Sequence, residues 1–377
     1  MDFTFTEEQQ AATEAARGVF AGVAPDAVPS PSLVAGAVAD DFDRALWARL
    51  AEADLLSLLL DPEHGGAGLD AIALCLVLRE SAKVLARVPL LETAAAAVAV
   101  QAYGGQELKA ALLARAGRGE VVLTVAANGR GGHDPAELAV TAQLDGDGWI
   151  LDGVQTAVPW AHTADFVVVP ARTTSDRTLL AVVPRAHPGT GLSEQISTTG
   201  ERLGELRLAS ARVPARDVID ADGAWERLRD LLTCGTCALA LGLGERVLAM
   251  TSEYTGKREQ FGHPVATFQA VAVQAADRFI DLRAMEVTLW QAAWRIASAA
   301  AGVLPVAADL AVAKIWASEG VRRVVQTAQH LHGGFGADVE YPLHRYHAWA
   351  KHLELRLGPA AAHEEALGDL LAAHPLG

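Results

Sequence analysis

Apolar and polar positions follow two different periods along this chain, and the change of period divides it into three blocks. Up to about residue 118 the spacing is helical. Phe42, Leu46, Trp47 and Leu50 recur at intervals near 3.6, which predicts a helix over 41–53. Ahead of it, Thr6 followed by Glu7 and Glu8 has the chemistry of a helix cap with an acidic first turn. Pro62-Glu63-His64-Gly65-Gly66-Ala67-Gly68 breaks the pattern, as Gly and Pro clusters do. Helix is expected again over 69–86 and 89–103, ending at Gly104-Gly105. Between 119 and about 222 the period is two. Segments 121–125, 139–144, 149–151, 166–169 and 179–183 read as strands, and Asp145-Gly146-Asp147-Gly148 is a hairpin signal. Short strands with turns between them predict a small antiparallel sandwich or barrel. From 224 onward the spacing is helical once more, over 227–254, 265–301 and 306–330, with Ala-rich faces suited to close packing in a bundle. The fold class is therefore α+β.

Composition narrows the function classes. A chain of 377 residues exceeds one ordinary domain, and 51% hydrophobic residues can build a large core. No charge-free apolar run reaches the roughly 18 residues of a membrane span. The segment Met1-Asp2-Phe3-Thr4-Phe5 lacks a basic region and an apolar signal core, so a cytoplasmic protein is expected. The net charge of −15, with no basic block, argues against nucleic acid as a partner. A small phosphate-bearing ligand on local cations stays compatible with it. Cys234 and Cys237 form a CxxC inside a helical stretch, where buried packing is expected rather than redox chemistry. Gly242-Leu243-Gly244 follows no strand and so is no dinucleotide fingerprint. His330, His332, His344, His347 and His352 crowd together, yet Glu-x-x-His pairs are missing, and no metal site is expected. Trp290 and Trp294, at i and i+4, read as core or subunit contact.

Two motifs carry chemistry. One is Arg258-Glu259-Gln260-Phe261-Gly262-His263-Pro264, continuing to Phe268-Gln269; the other is Gln329-His330-Leu331-His332-Gly333-Gly334-Phe335-Gly336, followed by Glu340-Tyr341-Pro342. A cation and an aromatic ring at one end, with a glycine pair at the other, suit the pyrophosphate and adenine of a dinucleotide.

In this order, and in this three-block arrangement, the motifs resemble those of the acyl-CoA dehydrogenase family. The Pro62–Gly68 run, the Asp147-Gly148-Trp149 hairpin and Arg212-Val213-Pro214 add weaker matches. The resemblance implies an amino-terminal helical domain over 1–118, a middle antiparallel β-domain over 119–222 and a carboxy-terminal four-helix domain over 223–377. It implies FAD as cofactor and an acyl-CoA as substrate, with a glutamate removing the α-proton while the β-hydrogen leaves as hydride. Carried over, Arg258 contacts the pyrophosphate, Phe261 packs on the adenosine side, Gln269 hydrogen-bonds the cofactor, and Gly333 and Gly334 let the backbone approach phosphate. His330 stands where the family has Gln, with Gln329 one residue earlier; both are candidates.

The chain departs from the family at the reacting end. One family position for the base corresponds to Leu357-Gly358-Pro359 and the other to Leu232-Thr233; Asp230 and Glu354 are the nearest carboxylates and only weak catalytic candidates. The family's Thr-Glu-Pro-x-x-Gly-Ser-Asp segment corresponds to 124–131, where only Thr124 and Gly129 survive. Its Trp-Ile-Thr-Asn segment corresponds to 157–160, where Pro159 has no N–H to give a flavin edge. Some actinobacterial members, including those acting on steroid side-chain CoA esters, are α2β2 heterotetramers of unlike chains. The resemblance therefore implies a base-less subunit that shares FAD with a paralogous subunit carrying the glutamate. The alternatives are an active homo-oligomer with a relocated base, or a structural partner without cofactor.

Overall fold

The computed structural model describes residues 4–132, 134 and 137–374; Met1, Asp2 and Phe3 of the amino-terminal reading lie outside the described residues. The first block contains α1 (Glu7–Phe20), α2 (Arg44–Glu52), α3 (Ala71–Lys83), α4 (Leu90–Tyr103) and α5 (Gln106–Gly117). Thr6 starts α1 through a reciprocal cap: its hydroxyl accepts from Gln9 N–H (3.2 Å), and the Gln9 side chain accepts from Thr6 N–H (3.0 Å). Helix α2 begins later than its apolar spacing predicts, because the Asp43 carboxylate caps Leu46 N–H (2.9 Å) and fixes the start there. Asp70 caps α3 by accepting from Ile72 and Ala73 (3.0 and 3.1 Å).

The middle block holds β1 (Leu123–Val125), β2 (Val140–Asp145), β3 (Gly148–Val158), β4 (Phe166–Thr173), β5 (Thr178–Pro184), β6 (Thr190–Ile196), β7 (Arg202–Pro214) and β8 (Val218–Ile219). They form one sheet in the order β6-β7-β3-β2-β4-β5-β8, with β1 beside β4. Inward residues from β2 through β7, such as Val140, Leu151, Val167, Leu206 and Val213, close on one another as a separate apolar core. Most pairings are antiparallel, but β1–β4 and β2–β4 are parallel. Strand β3 pairs with β2 on one side and β7 on the other, so the chain must cross over to reach the free edge of β2. Strands β6 and β7 have no counterpart among the expected strands. The β3–β7 ladder shifts register twice, which breaks the period of two, and β6 is mostly exposed.

The last block contains α6 (Ala224–Lys257), the two-residue strands β9 (Glu259–Gln260) and β10 (His263–Pro264), then α7 (Gln269–Ser298), α8 (Val306–His332), α9 (Leu343–Leu355) and α10 (Ala360–Ala373). Helix α7 starts after the expected 265 because 265–267 form a 3-10 turn. Helix α6 is the shared wall: it packs against α3 and α4 on one side and against α7, α8 and α9 on the other. It is long and apolar enough to cross a membrane, but 78% of its apolar window is buried inside the fold. It runs straight through Gly242, where an added β-carbon would lie 2.0 Å from the Arg79 carbonyl oxygen. That glycine lets two helices cross at backbone contact. All three cysteines are buried, and Cys75 Sγ lies 3.6 Å from Cys234 Sγ.

Candidate functional site: a nucleotide cradle and a closed reaction site

The Arg258 motif forms where α6 ends. Arg258 leaves the helix with extended backbone, and β9 pairs with β10 across Phe261 and Gly262. Both turn residues have positive φ (54° and 79°), the conformation a tight two-residue hairpin demands. Glycine adopts it freely; for phenylalanine it is strained. Phe261 is held at the tip, 91% exposed, with its ring edge-on to Phe268 at 6.4 Å. Gln269 opens α7 immediately afterwards. Among the described residues, the side chains of Arg258, Gln269 and His330 make no hydrogen bond or ion pair, so each is available to a ligand.

The glycine motif ends α8. Gly333 has φ 59° and ψ −139°, a backbone region essentially confined to glycine. Space beside Gly333 and Gly334 is open, with nothing within 4 Å of a β-carbon at either. The Gln329 amide is already committed, donating to the Gly333 carbonyl (3.0 Å). Exposed His330 is the uncommitted neighbour.

An aromatic stack joins the two motifs, and sequence spacing did not point to it. Tyr254, one turn before Arg258, lies flat between His332 (4.4 Å, 20°) and Phe335 (5.4 Å, 12°); Tyr341 packs on Phe335 at 4.4 Å. His332 Nδ1 donates to the Ala328 carbonyl (2.8 Å), which leaves Nε2 to accept from the Tyr341 hydroxyl (3.2 Å). Burial lowers the His332 pKa, so the ring stays neutral and suits that tautomer. Arg258, Lys257, Tyr254, Phe335 and Tyr341 line one open cleft of about 440 Å³. Of the expected cofactor residues only Arg258 lines it; Phe261 and Gln269 stand outside on the adjoining hairpin and helix, and Gln329, His330, Gly333 and Gly334 stand outside at the end of α8. The only signal in the sequence was Tyr254 four residues ahead of Arg258, a helical neighbour of the motif.

The base positions come together around a different cavity. Thr233 and Leu357, from the two candidate registers, both line a space of about 470 Å³ with Asp230, Arg229 and His363. Leu232 faces the core instead. Asp230 lies one turn from Thr233; burial raises its carboxyl pKa from 3.8 to about 6, against the pull of Arg229 and Arg227. Glu354 is elsewhere: its carboxylate pairs with Lys351 (3.0 Å) and does not line the cavity. Lys314 holds the turn that carries Leu357. Its ammonium, wholly buried, donates to the carbonyls of Glu354 (3.0 Å) and Gly358 (3.0 Å) and to Ser318 (2.7 Å).

Three polar groups of the sheet rim at 157–160 are already paired. Ala157 N–H donates to Gln195 (2.8 Å), the Ala157 carbonyl accepts from Asn128 (2.9 Å), and the Pro159 carbonyl accepts from Thr124 (2.5 Å). The cradle for an anionic, flat group thus fits a dinucleotide's adenosine and pyrophosphate, whereas at this rim Ala157 N–H is committed and Pro159 has none to give a flavin edge.

Comparison with known proteins agrees with the architecture. The models of the acyl-CoA dehydrogenase amino-terminal and carboxy-terminal domains match residues 6–120 and 233–371. The chain is 36% identical to acyl-CoA dehydrogenase FadE27 of Mycobacterium tuberculosis over the full length of both. Among solved structures it resembles a variant of the Tcur3481-Tcur3483 steroid ACAD (TM-score 0.89, 36% identity, 97% of this chain and 98% of that one). It also resembles the ChsE4-ChsE5 complex of Mycobacterium tuberculosis (TM-score 0.89, 35% identity, 100% of both). With those motifs in place and that likeness spanning its whole length, this chain belongs to the acyl-CoA dehydrogenase family.

Proposed function

We propose that this chain is the base-less subunit of an FAD-dependent acyl-CoA dehydrogenase built from two unlike, related chains. In this reading the three blocks 1–118, 119–222 and 223–377 act as the family's three domains. The chain completes the cofactor site of a cytoplasmic partner subunit that carries the catalytic glutamate. The observation that carries it is the division inside the chain itself. Arg258, His330, Gly333 and Gly334 stand free for a ligand, while the backbone donor at Ala157 is taken and Pro159 has none. Leu357 and Thr233 hold the two base positions, and neither can remove a proton.

When bound, FAD supplies the hydride acceptor. The chain's own part is to bind and orient. Arg258 neutralises the pyrophosphate, Gly333 and Gly334 bring backbone close to it, Phe261 covers the adenosine, and Gln269 with His330 hydrogen-bonds the cofactor; Gln329 holds the glycine turn. The outer face of α7 supports a partner: Val273, Ile280 and Val287 recur seven residues apart and are 51%, 63% and 64% exposed. The substrate is an acyl-CoA thioester. The steroid ACAD and the ChsE4-ChsE5 complex among the relatives point to a steroid side-chain CoA ester.

The test is expression of the chain alone and together with a paralogous subunit. Flavin absorbance and acyl-CoA turnover are expected only from the pair. Turnover by this chain alone, with bound FAD at ordinary rates, overturns the proposal. A complex without flavin leaves a structural partner instead. Asp230 favours a second reading, a relocated base, because it lines the cavity of Thr233 and Leu357 and burial raises its pKa to about 6. An unchanged rate in Asp230→Asn excludes it.

A further inference from the structure

Where the three blocks meet, a buried ion pair joins residues far apart in sequence. Glu92 comes from α4 and Arg356 from the end of α9, directly before Leu357. Their side chains are 3% and 12% exposed, and the guanidinium hydrogen-bonds the carboxylate. The pair stands between two spaces. On one side lies a cleft of about 280 Å³ against the sheet rim, lined by Asn128, Ala157, Pro159 and Leu355. On the other is a void of about 40 Å³ lined by Leu78, Leu91, Trp160, Leu239 and Leu353. Arg356 and His352 line both, so together they form the partition.

Stability does not call for such a pair. Taking two charges out of water costs several kcal/mol per ion, and a well-packed apolar pair at the same place is often as stable or more so. The rest of the void's lining is mainly aliphatic and aromatic, with Ser81, Thr199, Glu201 and His352 as its polar members. An apolar group entering from the cleft meets a guanidinium first and a carboxylate behind it.

We propose that the Glu92–Arg356 pair is a plug: it closes an apolar chamber of this chain that would otherwise accept the hydrocarbon part of an acyl thioester. This rests on the base-less reading and gives it a steric counterpart, since a subunit that performs no chemistry gains nothing by retaining substrate. The chamber opens when both side chains are truncated together, which leaves neither ion unpaired. Truncation of both side chains to alanine enlarges the void toward the ~150 Å³ at which dry apolar cavities take up benzene or xenon.

The experiment uses the complex with its partner subunit, comparing the parent with Glu92→Ala/Arg356→Ala. Crystals pressurised with xenon should show a xenon atom among Leu78, Leu91 and Leu239 in the double variant and none there in the parent. Benzene should raise the melting temperature of the double variant more than that of the parent. Glu92→Gln/Arg356→Met keeps the volume and should stay closed. If the alanine pair does not fold, Glu92→Gln/Arg356→Ala provides the smaller opening. Xenon in the parent chamber, or none in an opened variant that folds, overturns the plug. These readouts involve neither flavin nor turnover, so their failure is distinct from failure of the base-less reading.

Discussion

Glu201 should make folding less favourable as the solution turns from acid to neutral, and Glu201→Gln should abolish that loss. The carboxyl is wholly buried, and its Oε1 has no hydrogen-bond partner. Burial raises its pKa from 4.5 to about 7; Arg87 opposes the rise and Glu92 adds to it. Because the folded value lies above the unfolded one, the folded protein keeps a proton that the unfolded chain has lost between those two pH values. Stability therefore falls as pH rises from 4.5 to about 7 and is level on either side. The shift is 7 − 4.5 = 2.5 units, which at ~1.4 kcal/mol each comes to between about 3 and 4 kcal/mol. Glutamine keeps the size and shape of the side chain but carries no charge. Urea unfolding of both proteins at pH 4.5 and pH 8 is the assay. Other groups titrate alike in the two proteins, so the difference between their curves isolates Glu201. We expect near-equal stability at pH 4.5 and a more stable variant at pH 8, by that amount at most. A gap that does not change with pH refutes the reasoning.

Arg258→Ala should strip flavin from the complex, read as absorbance per subunit, while shifting the stability of this chain by less than ~0.5 kcal/mol, because the side chain is exposed and unpaired. Gly333→Ala should cost about 1–3 kcal/mol in urea unfolding, because a β-carbon is strained at φ 59° and ψ −139°; Gly334→Ala, with open space beside it, should cost far less. Gly242→Ala should destabilise by about 1–3 kcal/mol or more, since the new methyl would overlap the Arg79 carbonyl and push α6 from α3, and a thermal melt reads the loss.

The sequence by itself determined whatever depends on neighbours in the chain. Thr6 marked the first helix, because a cap is a bond between residues three apart. The change of period separated sheet from helix, and Pro159 already ruled out a donor, because a missing N–H is covalent chemistry. The Arg258 and Gly333 motifs were legible for the same reason: a hairpin tip and a helix-ending glycine are local conformations. Strand β7 was lost to view because register shifts against β3 interrupt its alternation, and register is set by the partner strand. Only the tertiary structure decided that Tyr254 stacks between His332 and Phe335 and so joins the two motifs, 78 residues apart from Tyr254 to His332. Only it placed Thr233 and Leu357 on one cavity, turned Glu354 away to Lys351, and set Arg356 against Glu92. Periodicity records which face of an element is buried; which charge meets which across the interior depends on how the elements pack.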